Sequence, residues 1–533
     1  MSRSRRARTL VAAWSTALLT AVATLAATGT ARADTVRYEA EGTSAHCDGT
    51  IETEHAGYSG SGFCDTTNAT GSAVQFTVTA AQSGQAAIAV RFANGSGSAR
   101  GASLLVNGTA VQSTSFEATG AWTNWVTKSL TVPLDAGTHT IRLSATGSGG
   151  LANIDYLDVT TEGGTTTPPD TPGDALYVSP NGSADAAGTE SDPTTLTSAI
   201  DRVSPGGTIY LRGGTYRLSQ TVTIPPGNDG TASARTELTA YPGETPVLNF
   251  SAMSEADANR GLALNADYWH LYGLVVEHAG DNGIFVGGSN NVIERTVTRY
   301  NHDTGLQLSR MSSSTPREDW PANNLILSAE SHDNADSDGE DADGFAAKLT
   351  VGSGNVFRYD VSHNNIDDGW DLYTKTDTGA IGAVTIENSL SFENGTLSDG
   401  TQNSSGDRNG FKLGGEDISV NHVIRHNIAY GNGKHGFTYN RNLGTMTISD
   451  NVGIDNGERN YSFDGGTSVF RNNTSCRSDD GSNDRVIGDA DGSNQFWSGS
   501  NGSRCSAYSG ALGWSFAGDG SLVVTFGGNR VTP

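Results

Sequence analysis

The 533-residue sequence is poor in charged residues, and among them lysine and arginine are scarce. Charged residues make up 17%, and 33 lysines and arginines face 58 aspartates and glutamates, which gives a formal net charge of −25. Such a chain lacks the basic surface that nucleic-acid binding requires, so no nucleic-acid partner is expected. It also makes a polyanionic ligand unexpected unless a cation bridges the two. Beyond the N-terminal segment no apolar run is long enough to span a bilayer, so no membrane partner is expected.

The first 33 residues have the pattern of a secretory signal peptide. Four arginines precede an apolar run at 10–27, and Ala31-Arg32-Ala33 fits a cleavage site. An uncleaved membrane anchor is the alternative, which the Ala- and Thr-rich run and the cleavage pattern disfavour. We therefore expect a secreted, extracellular protein, whose net charge would fall from −25 to −30 when five arginines leave with the leader.

The next feature is a segment without the means to form a core. Residues 163–174, GGTTTPPDTPGD, are typical of a linker, and they separate a domain at 34–162 from one at 175–533.

Cysteines are few as well, and in a secreted chain they are expected to form disulfides. Because Cys47 and Cys64 lie in the first domain and Cys476 and Cys505 in the second, this pairing is favoured.

A repeat organises the second domain. A ten-residue phrase rich in Val, Ile, Thr and aromatic residues recurs six times between 292 and 456, and each copy ends in asparagine. Such spacing is typical of a stacked array, and the alternation indicates strands. We predict an all-β fold in which 175–533 form a right-handed parallel β-helix with an internal asparagine ladder. Coincidental loop asparagines are the disfavoured alternative. The ladder residues are Asn301, Asn334, Asn365, Asn394, Asn432 and Asn456.

A glycine-led motif follows each ladder residue. The residue after the glycine is large and apolar and should face the core, so the next residue should face outward. Asp371 and Lys412 then project from adjacent coils, about 4.8 Å apart. Insertions before Gly344 and Gly410 lie beside this column, where function is expected. A short helix at 197–203 should cap the first coil, and the last strands should close the far end. The outward column is Phe285, Gln307, Ala346, Asp371, Lys412 and Thr438.

Aspartates gather next to this column. Asp343 and Asp368 each directly precede a motif glycine and should stack, with Asp367 and Asp371 beside them. Calcium takes six to eight oxygen ligands, which such a cluster would supply; solvated turn aspartates are the alternative. Lys412 would either pair with Asp371 or, with a cation beside it, act as a base. The second role points to β-elimination of a uronate polymer.

The segments DADGFAAK, NNIDDGWDLY and RNGFKLGG around these residues resemble the motifs of polysaccharide lyase family 9, and the resemblance covers about 175–533. It implies a calcium-dependent pectate lyase acting on (1→4)-α-D-galacturonan. The calcium ligands would be Asp343, Asp367, Asp368 and Asp371, and the Brønsted base would be Lys412. A lyase for rhamnogalacturonan or another uronate polymer is one alternative, and a noncatalytic polysaccharide-binding β-helix protein is another. Candidates for holding substrate carboxylates, with surface packing as the alternative, are Arg408, His435, Tyr439 and Arg441.

Residues 34–162 alternate in short segments with Gly-rich turns, which predicts a β-sandwich. The segments YEAE at 38–41 and NIDYLD at 153–158 resemble carbohydrate-binding modules of families 6 and 35. The resemblance implies a structural calcium held by Glu39, Glu41 and Asp158. Core packing is the alternative for the two tryptophans among the candidates for sugar contact. Those candidates are Tyr58, Trp122, Trp125 and Asn153. We expect the whole protein to be a monomer that binds plant cell-wall polysaccharide.

Overall fold

A computed structural model describes residues 34–80, 84–134, 137–161 and 175–531. The predicted signal peptide (1–33) and linker (163–174) lie outside the described residues. The chain divides into two compact units, 1–167 and 168–533, each treated by itself below. Within the described ranges, no helix has both the length and the apolar character needed to cross a membrane.

The first unit is a β-sandwich, as the alternating pattern predicted. Inward residues such as Phe76, Val78 and Ile141 are fully buried, so each sheet has one apolar face that packs against the other. A disulfide joins Cys47 in one sheet to Cys64 in the other. In spatial order, the first sheet contains Gly49–Glu52, Phe63–Thr66, Asn153–Thr161, Gly84–Ala93 and Val126–Leu134, with Asp34–Glu39 also paired to Asn153–Thr161. The second contains Ala45–Cys47, Ala73–Ala80, Gly137–Ala145, Arg100–Val106 and Thr109–Phe116.

The second unit is a parallel β-helix in which successive coils add strands to three parallel sheets. Sheet A contains Ala175–Val178, Thr208–Leu211, Thr236–Ala240, Trp269–Tyr272, Val292–Glu294, Leu325–Leu327, Asn355–Arg358, Val384–Glu387, Val423–Arg425, Thr447–Ser449, Val469–Arg471 and Asp489–Ala490. Sheet B contains Gly214–Arg217, Pro246–Asn249, Val275–Glu277, Val297–Arg299, Glu330–His332, Val361–His363, Leu390–Phe392, Ile428–Tyr430, Val452–Ile454 and Thr474–Cys476. Sheet C contains Val222–Ile224, Leu262–Leu264, Ile284–Val286, Leu306–Leu308, Phe345–Ala347, Trp370–Asp371, Phe411–Lys412, His435–Thr438, Arg459–Phe463 and Arg485–Val486.

The inward column of sheet C is an aromatic stack inside the solenoid. Phe345, Trp370, Phe411 and Phe437 are buried, and the centroids of neighbouring rings lie 5.0, 4.8 and 4.8 Å apart. Rings of similar size in register leave little room for slippage between coils, because a shift by one residue would turn them to the outer face. The stack therefore fixes which outward residues stand next to each other.

The asparagine ladder is confirmed, in the turn between sheets B and C. Each side-chain amide donates to the side-chain oxygen of the next asparagine, at 2.7–3.0 Å from Asn301 to Asn460. A second ladder, which the sequence reading missed, runs through Asn427, Asn451 and Asn473 in the turn between sheets A and B. These bonds satisfy buried polar groups that turns would otherwise leave unpaired.

In the part of the chain that the structure describes, one α-helix, Leu196–Arg202, covers the first coil within one residue of the predicted range. It begins after Thr195, whose hydroxyl accepts the N–H of Ser198, and it buries Leu196 in the solenoid core. Two 3₁₀ helices, Arg317–Asp319 and Ser503–Tyr508, lie in loops.

The last strands do not close the far end of the solenoid, contrary to the prediction. Leu512–Phe516, Leu522–Phe526 and Asn529–Val531 form an antiparallel sheet. Val524 and Phe526 pack with Leu390 and Ile428 of sheet B, and the side chain of Ser328 donates to the carbonyl of Gly520. The outer positions of sheet B are apolar in these coils and need cover, so the terminal sheet lies along the flank, where the Cys476–Cys505 disulfide also holds the chain.

Candidate active site

Asp371 and Lys412 stand directly opposite each other on neighbouring strands of sheet C. The same register continues in both directions along the predicted outward column, from Phe285 through Ala346 to Thr438. Because the aromatic stack occupies the inner positions, the alternation of the strand turns these two side chains to the outer face. The repeat thus places an acid and an amine side by side on a rigid sheet.

Three buried carboxylates meet at this point. Asp343, Asp368 and Asp371 each offer an oxygen, and these oxygens lie within 4.8 Å of one another. The three residues are 0%, 0% and 3% exposed. Asp343 and Asp368 lie one above the other, since the N–H of Gly344 donates to the carbonyl of Asp368 at 2.9 Å. Counting from the motif glycines therefore placed them correctly.

Asp367 is buried beside these three but faces the inserted loop. Its Oδ1 accepts the backbone N–H groups of Asp407 and Arg408, the latter at 3.2 Å. It adds a fourth negative charge next to Asp368 and also ties the insertion before Gly410 to the coil. Asp367 therefore connects the inserted loop before Gly410 to the carboxylate cluster.

Burial dominates the ionisation of the cluster. Burial is the largest cause that raises the pKa of Asp343 and of Asp367 well above their usual range and that of Asp368 to about 6. Neighbouring carboxylates act in the same direction, and the nearby lysines act against it. Carboxylates placed like this either take up protons or share a cation. The arrangement therefore favours cation binding at neutral pH.

The chemistry of the donors fits a hard divalent cation. Asp368 Oδ2 and Asp371 Oδ1 are buried oxygens without a hydrogen-bond partner, although the Lys412 ammonium lies 3.1 Å from the former. A buried anionic oxygen without a hydrogen bond is unfavourable, and a bound cation would satisfy both. The donors are carboxylates, with no thiolate or imidazole among them, which matches calcium or magnesium better than zinc or copper.

Lys412 is held over this cluster by several groups. Its Nζ lies 3.1 Å from Asp368, 3.5 Å from Asp371 and 3.1 Å from Asp407, and 5.4 Å from the ring centre of Tyr373. Burial alone would lower the pKa of Lys412, but the nearby carboxylates outweigh it and raise the pKa well above its usual range. Lys412 is therefore an ammonium as long as those carboxylates have no other cation.

Two residues that contact the cluster were not predicted. Lys348 reaches Asp343 with its Nζ at 2.8 Å, and Asp407 reaches Lys412 at 3.1 Å. Lys348 follows a motif glycine by four residues, so counting could have found it, but it lies past the strand, where alternation does not say where a side chain points. Asp407 belongs to an insertion whose path the repeat does not define.

A cleft of about 350 Å³ opens over Lys412. The described residues that line it include both lysines of the cluster, the ring of Tyr373 and the exposed side chain of Lys375. Its remaining lining residues are Glu340, Asp341, Leu349, Asp371, Ser405 and Asp407. This is an open groove with cationic and acidic groups, suited to a charged polymer rather than to an apolar molecule.

The four predicted substrate contacts are not among the described residues lining this cleft. Arg441 pairs with Asp417, and Tyr439 packs against the solenoid core. His435 lies on a buried strand, where burial lowers its pKa to about 4, so it is neutral at neutral pH. The side chain of Arg408 lies against the turn at Gly395. These positions flank the cleft in sequence, but local pairing and packing occupy their side chains.

In the first unit, Asp155 rather than Asp158 joins Glu39 and Glu41. Asp158 makes two hydrogen bonds to Arg37, at 2.8 and 2.9 Å, which corrects its predicted role. Both oxygens of Asp155 instead accept the N–H of Ser59. The hydroxyl of the same serine donates to Glu39 at 2.6 Å, and Glu41 Oε2 is a buried oxygen without a hydrogen-bond partner. The three acids therefore gather around one loop.

Two of the predicted sugar contacts of the module, Tyr58 and Trp125, lie against the same buried ring. Trp125 packs edge-on against the buried Phe63 with ring centroids 5.2 Å apart, and Tyr58 lies 5.6 Å from the same ring. Both tryptophans are half-buried, so each has packed area and an accessible part. Trp122 carries Arg100 at 5.0 Å over its ring, and Asn153 is buried on its strand.

Residues 176–520 match the family described as "Pel9A-like, right handed beta helix region". The chain belongs to this family. The match also confirms the predicted right-handed sense of the solenoid. Residues 39–161 match the family 6 carbohydrate binding module, so the first unit is a module of this kind.

Named relatives agree with the family. Pectate lyase L from Paenibacillus polymyxa (strain SC2) is 55% identical over 324 residues, which cover 60% of this chain and 72% of that protein. Pectate lyase PEL9 from Emericella nidulans is 37% identical over 324 residues, covering 55% and 76%. The crystal structure of pectate lyase Pel9A superposes with a TM-score of 0.56 at 30% identity, covering 65% of this chain and 86% of that one. The chain is thus an enzyme of the polysaccharide lyase class.

Proposed function

We propose that this chain is a secreted, calcium-dependent pectate lyase that cleaves (1→4)-α-D-galacturonan by β-elimination. The observation that carries the proposal is the Lys412 amine, 3.1 Å from Asp368, above buried carboxylate oxygens that lack hydrogen-bond partners. The pectate lyases among its relatives support pectate as the substrate. Secretion is supported by the arginine-rich leader in the sequence and by two disulfides.

The proposed calcium ligands are Asp343, Asp367, Asp368 and Asp371. Bound there, calcium would attract the uronate carboxylate and acidify the C–H bond next to it. Lys412 would accept that proton at Nζ. The electrons of the C–H bond then form a carbon–carbon double bond as the glycosidic C–O bond breaks and its electron pair leaves with the oxygen. No protein nucleophile takes part.

Lys412 must be neutral before it can accept a proton. In this structure Asp371 and Asp368 raise its pKa, so it carries a proton. A cation bound to the same carboxylates offsets their attraction for the ammonium group and so lowers the pKa of Lys412. The base would therefore become available only in the cation-loaded enzyme, which couples cation binding to proton abstraction.

The first unit would attach the enzyme to plant cell-wall polysaccharide. Glu39, Glu41 and Asp155 would hold a structural calcium that fixes the loop at Ser59, next to Tyr58. Sugar rings would stack on the accessible parts of the aromatic side chains, as they do on flat apolar faces generally. The proposed sugar contacts remain Tyr58, Trp122, Trp125 and Asn153.

The test is the absorbance of unsaturated uronate products from polygalacturonate and from rhamnogalacturonan, each with calcium and with excess chelator. We expect product from polygalacturonate with calcium, none in chelator, and recovery when calcium is returned. Product in excess chelator would contradict the calcium requirement. Product from rhamnogalacturonan alone would overturn the substrate, and no product from either polymer would favour a noncatalytic binding protein.

A further inference from the structure

Lys348 places a second ammonium inside the carboxylate cluster. Its Nζ lies 2.8 Å from Asp343 Oδ2, 3.6 Å from Asp371 Oδ2 and 3.5 Å from the carbonyl oxygen of Asp341. The residue is 7% exposed, which is rare for lysine. An ammonium at this position competes with any metal ion for the same oxygens, so a site selected only for tight metal binding would not contain it.

The charge of the cluster explains the lysine. Once a divalent cation is bound and Lys412 is the neutral base proposed above, the four buried carboxylates, the Lys348 ammonium and the cation together leave one negative charge. The flanking Asp407 and Lys434 form a pair at 3.4 Å and cancel each other. Because the cluster is buried, solvent screens a residual charge poorly. Without Lys348, the loaded cluster would keep two negative charges facing the cleft.

We propose that Lys348 is a positioning residue for the anionic substrate, which it serves by halving the negative charge of the cation-loaded cluster. This inference rests on the proposed function. Lys348 lowers the affinity for the cation, since it repels it, and it reduces the repulsion that an incoming uronate carboxylate would otherwise meet. Because the whole chain is acidic, with a net charge of −25, a local reduction of negative charge favours the approach of a polyanion.

The geometry assigns this role to Lys348 rather than to another lysine. Lys348 and Lys412 both approach Asp371 Oδ2, at 3.6 and 3.5 Å, so the two ammonium groups lie on either side of one carboxylate. The Asp343 carboxylate also accepts the N–H of Asp368 at 3.3 Å, and the hydroxyl of Thr304, shared with the carbonyl oxygen of Asp341, lies 3.2 Å from its Oδ2. The charge at Lys348 can therefore be removed while the Asp343 carboxylate still has a hydrogen-bond donor.

The test compares Lys348→Met, Lys348→Gln and Lys348→Arg in the full-length chain. Calcium affinity is measured by calorimetry, and kcat and KM for polygalacturonate are measured in saturating calcium. For the Met and Gln variants we expect calcium to bind about ten-fold tighter and KM to rise about ten-fold, with kcat changed by less than about three-fold. Lys348→Arg keeps the charge and should stay near the wild type in both constants.

The direction in which calcium affinity changes separates a role of Lys348 in reducing charge from a role in holding Asp343 in place. If Lys348 only holds Asp343 in place, its removal should weaken calcium binding, so weaker or unchanged affinity in the Met and Gln variants overturns the inference. Gln retains a hydrogen-bond donor and serves if the Met variant does not fold. Lys375→Met, at an exposed lysine of the same cleft, should leave calcium affinity unchanged. A wild-type chain that binds no calcium in the cluster would instead contradict the proposed function, and this inference with it.

Discussion

At the scale of single residues, Lys412 has a position that surface lysines do not share. It is buried, with carboxylates of the neighbouring coil and of the inserted loop around it, and the ring of Tyr373 lies 5.4 Å from its Nζ. An ordinary surface ion pair contributes under about 1 kcal/mol and does not require such enclosure. The enclosure fixes the amine relative to the carboxylates, which a base needs and a simple counterion does not.

Replacing Lys412 by Met should therefore abolish turnover and leave the protein folded. Met keeps the length and the apolar stem but cannot accept a proton, so we expect kcat to fall by about a thousand-fold while polygalacturonate still binds. Product absorbance gives kcat, and calorimetry with calcium confirms an intact cluster. Lys434→Met, which removes the partner of Asp407 at 3.4 Å, is the control and should change kcat by less than about three-fold. A near-normal kcat in the Met variant would contradict the role of Lys412 as base and leave it the role of a counterion.

The site residues that could be predicted from the sequence are those whose positions are counted from the motif glycines of the repeat. Asp343, Asp368, Asp371 and Lys412 keep fixed offsets from motif glycines, and stacked coils turn equal offsets into neighbours. Asp155 was missed because the resemblance to the module families was carried onto Asp158, the last acid of the NIDYLD segment. In the structure a register irregularity between Ile154 and Tyr156 interrupts the strand at Asp155.

At the scale of elements, the ladders show how buried turns are held. Asparagine offers both a donor and an acceptor, so one side chain can serve the coils on both sides. Outside the two ladders, His422 lies directly before the sheet A strand Val423–Arg425, and its Nδ1 accepts the N–H of Val384 at 3.1 Å. Burial lowers the pKa of His422 to about 3, so the neutral ring is the folded form.

His422 should make the solenoid sensitive to acid. Its pKa in the folded chain lies below the unfolded value of about 6.5, so its contribution is complete above that pH and is lost as the pH falls. For this group alone, the free energy of unfolding should fall by about 2 kcal/mol between pH 7 and pH 5. Urea unfolding of His422→Asn should show a shallower decline. His426→Asn, at a half-buried turn residue, should keep the wild-type slope, and equal slopes in all three proteins would contradict the assignment.

Elements outside the repeat were the hardest to predict. Each of the six asparagines ends a copy of the repeated phrase, and each inward residue directly follows a motif glycine, so the coils could be predicted from them. The terminal strands carry no repeat, and their docking depends on apolar outer positions of sheet B such as Leu390 and Ile428. A pattern within one strand cannot show which distant face it covers, so the sequence placed that sheet at the wrong surface.

At the scale of the whole molecule, each unit has the means of independent stability. The sandwich and the solenoid have separate buried cores, and each holds its own disulfide. The carboxylate cluster, Lys412 and the cleft all belong to residues 340–412, well inside the second unit. Catalysis and attachment to the cell wall should therefore be separable.

Expressed alone, residues 175–533 should retain the kcat of the full-length protein on soluble polygalacturonate, because every proposed catalytic group is within them. On insoluble plant cell wall the fragment should be slower than the full chain, since attachment through the module raises the local enzyme concentration. Residues 34–162 should fold alone and bind cell-wall polysaccharide without releasing unsaturated product. Product absorbance and pull-down on insoluble wall measure these outcomes. Loss of activity on soluble substrate by a folded 175–533 fragment would mean that the module contributes to the reaction itself.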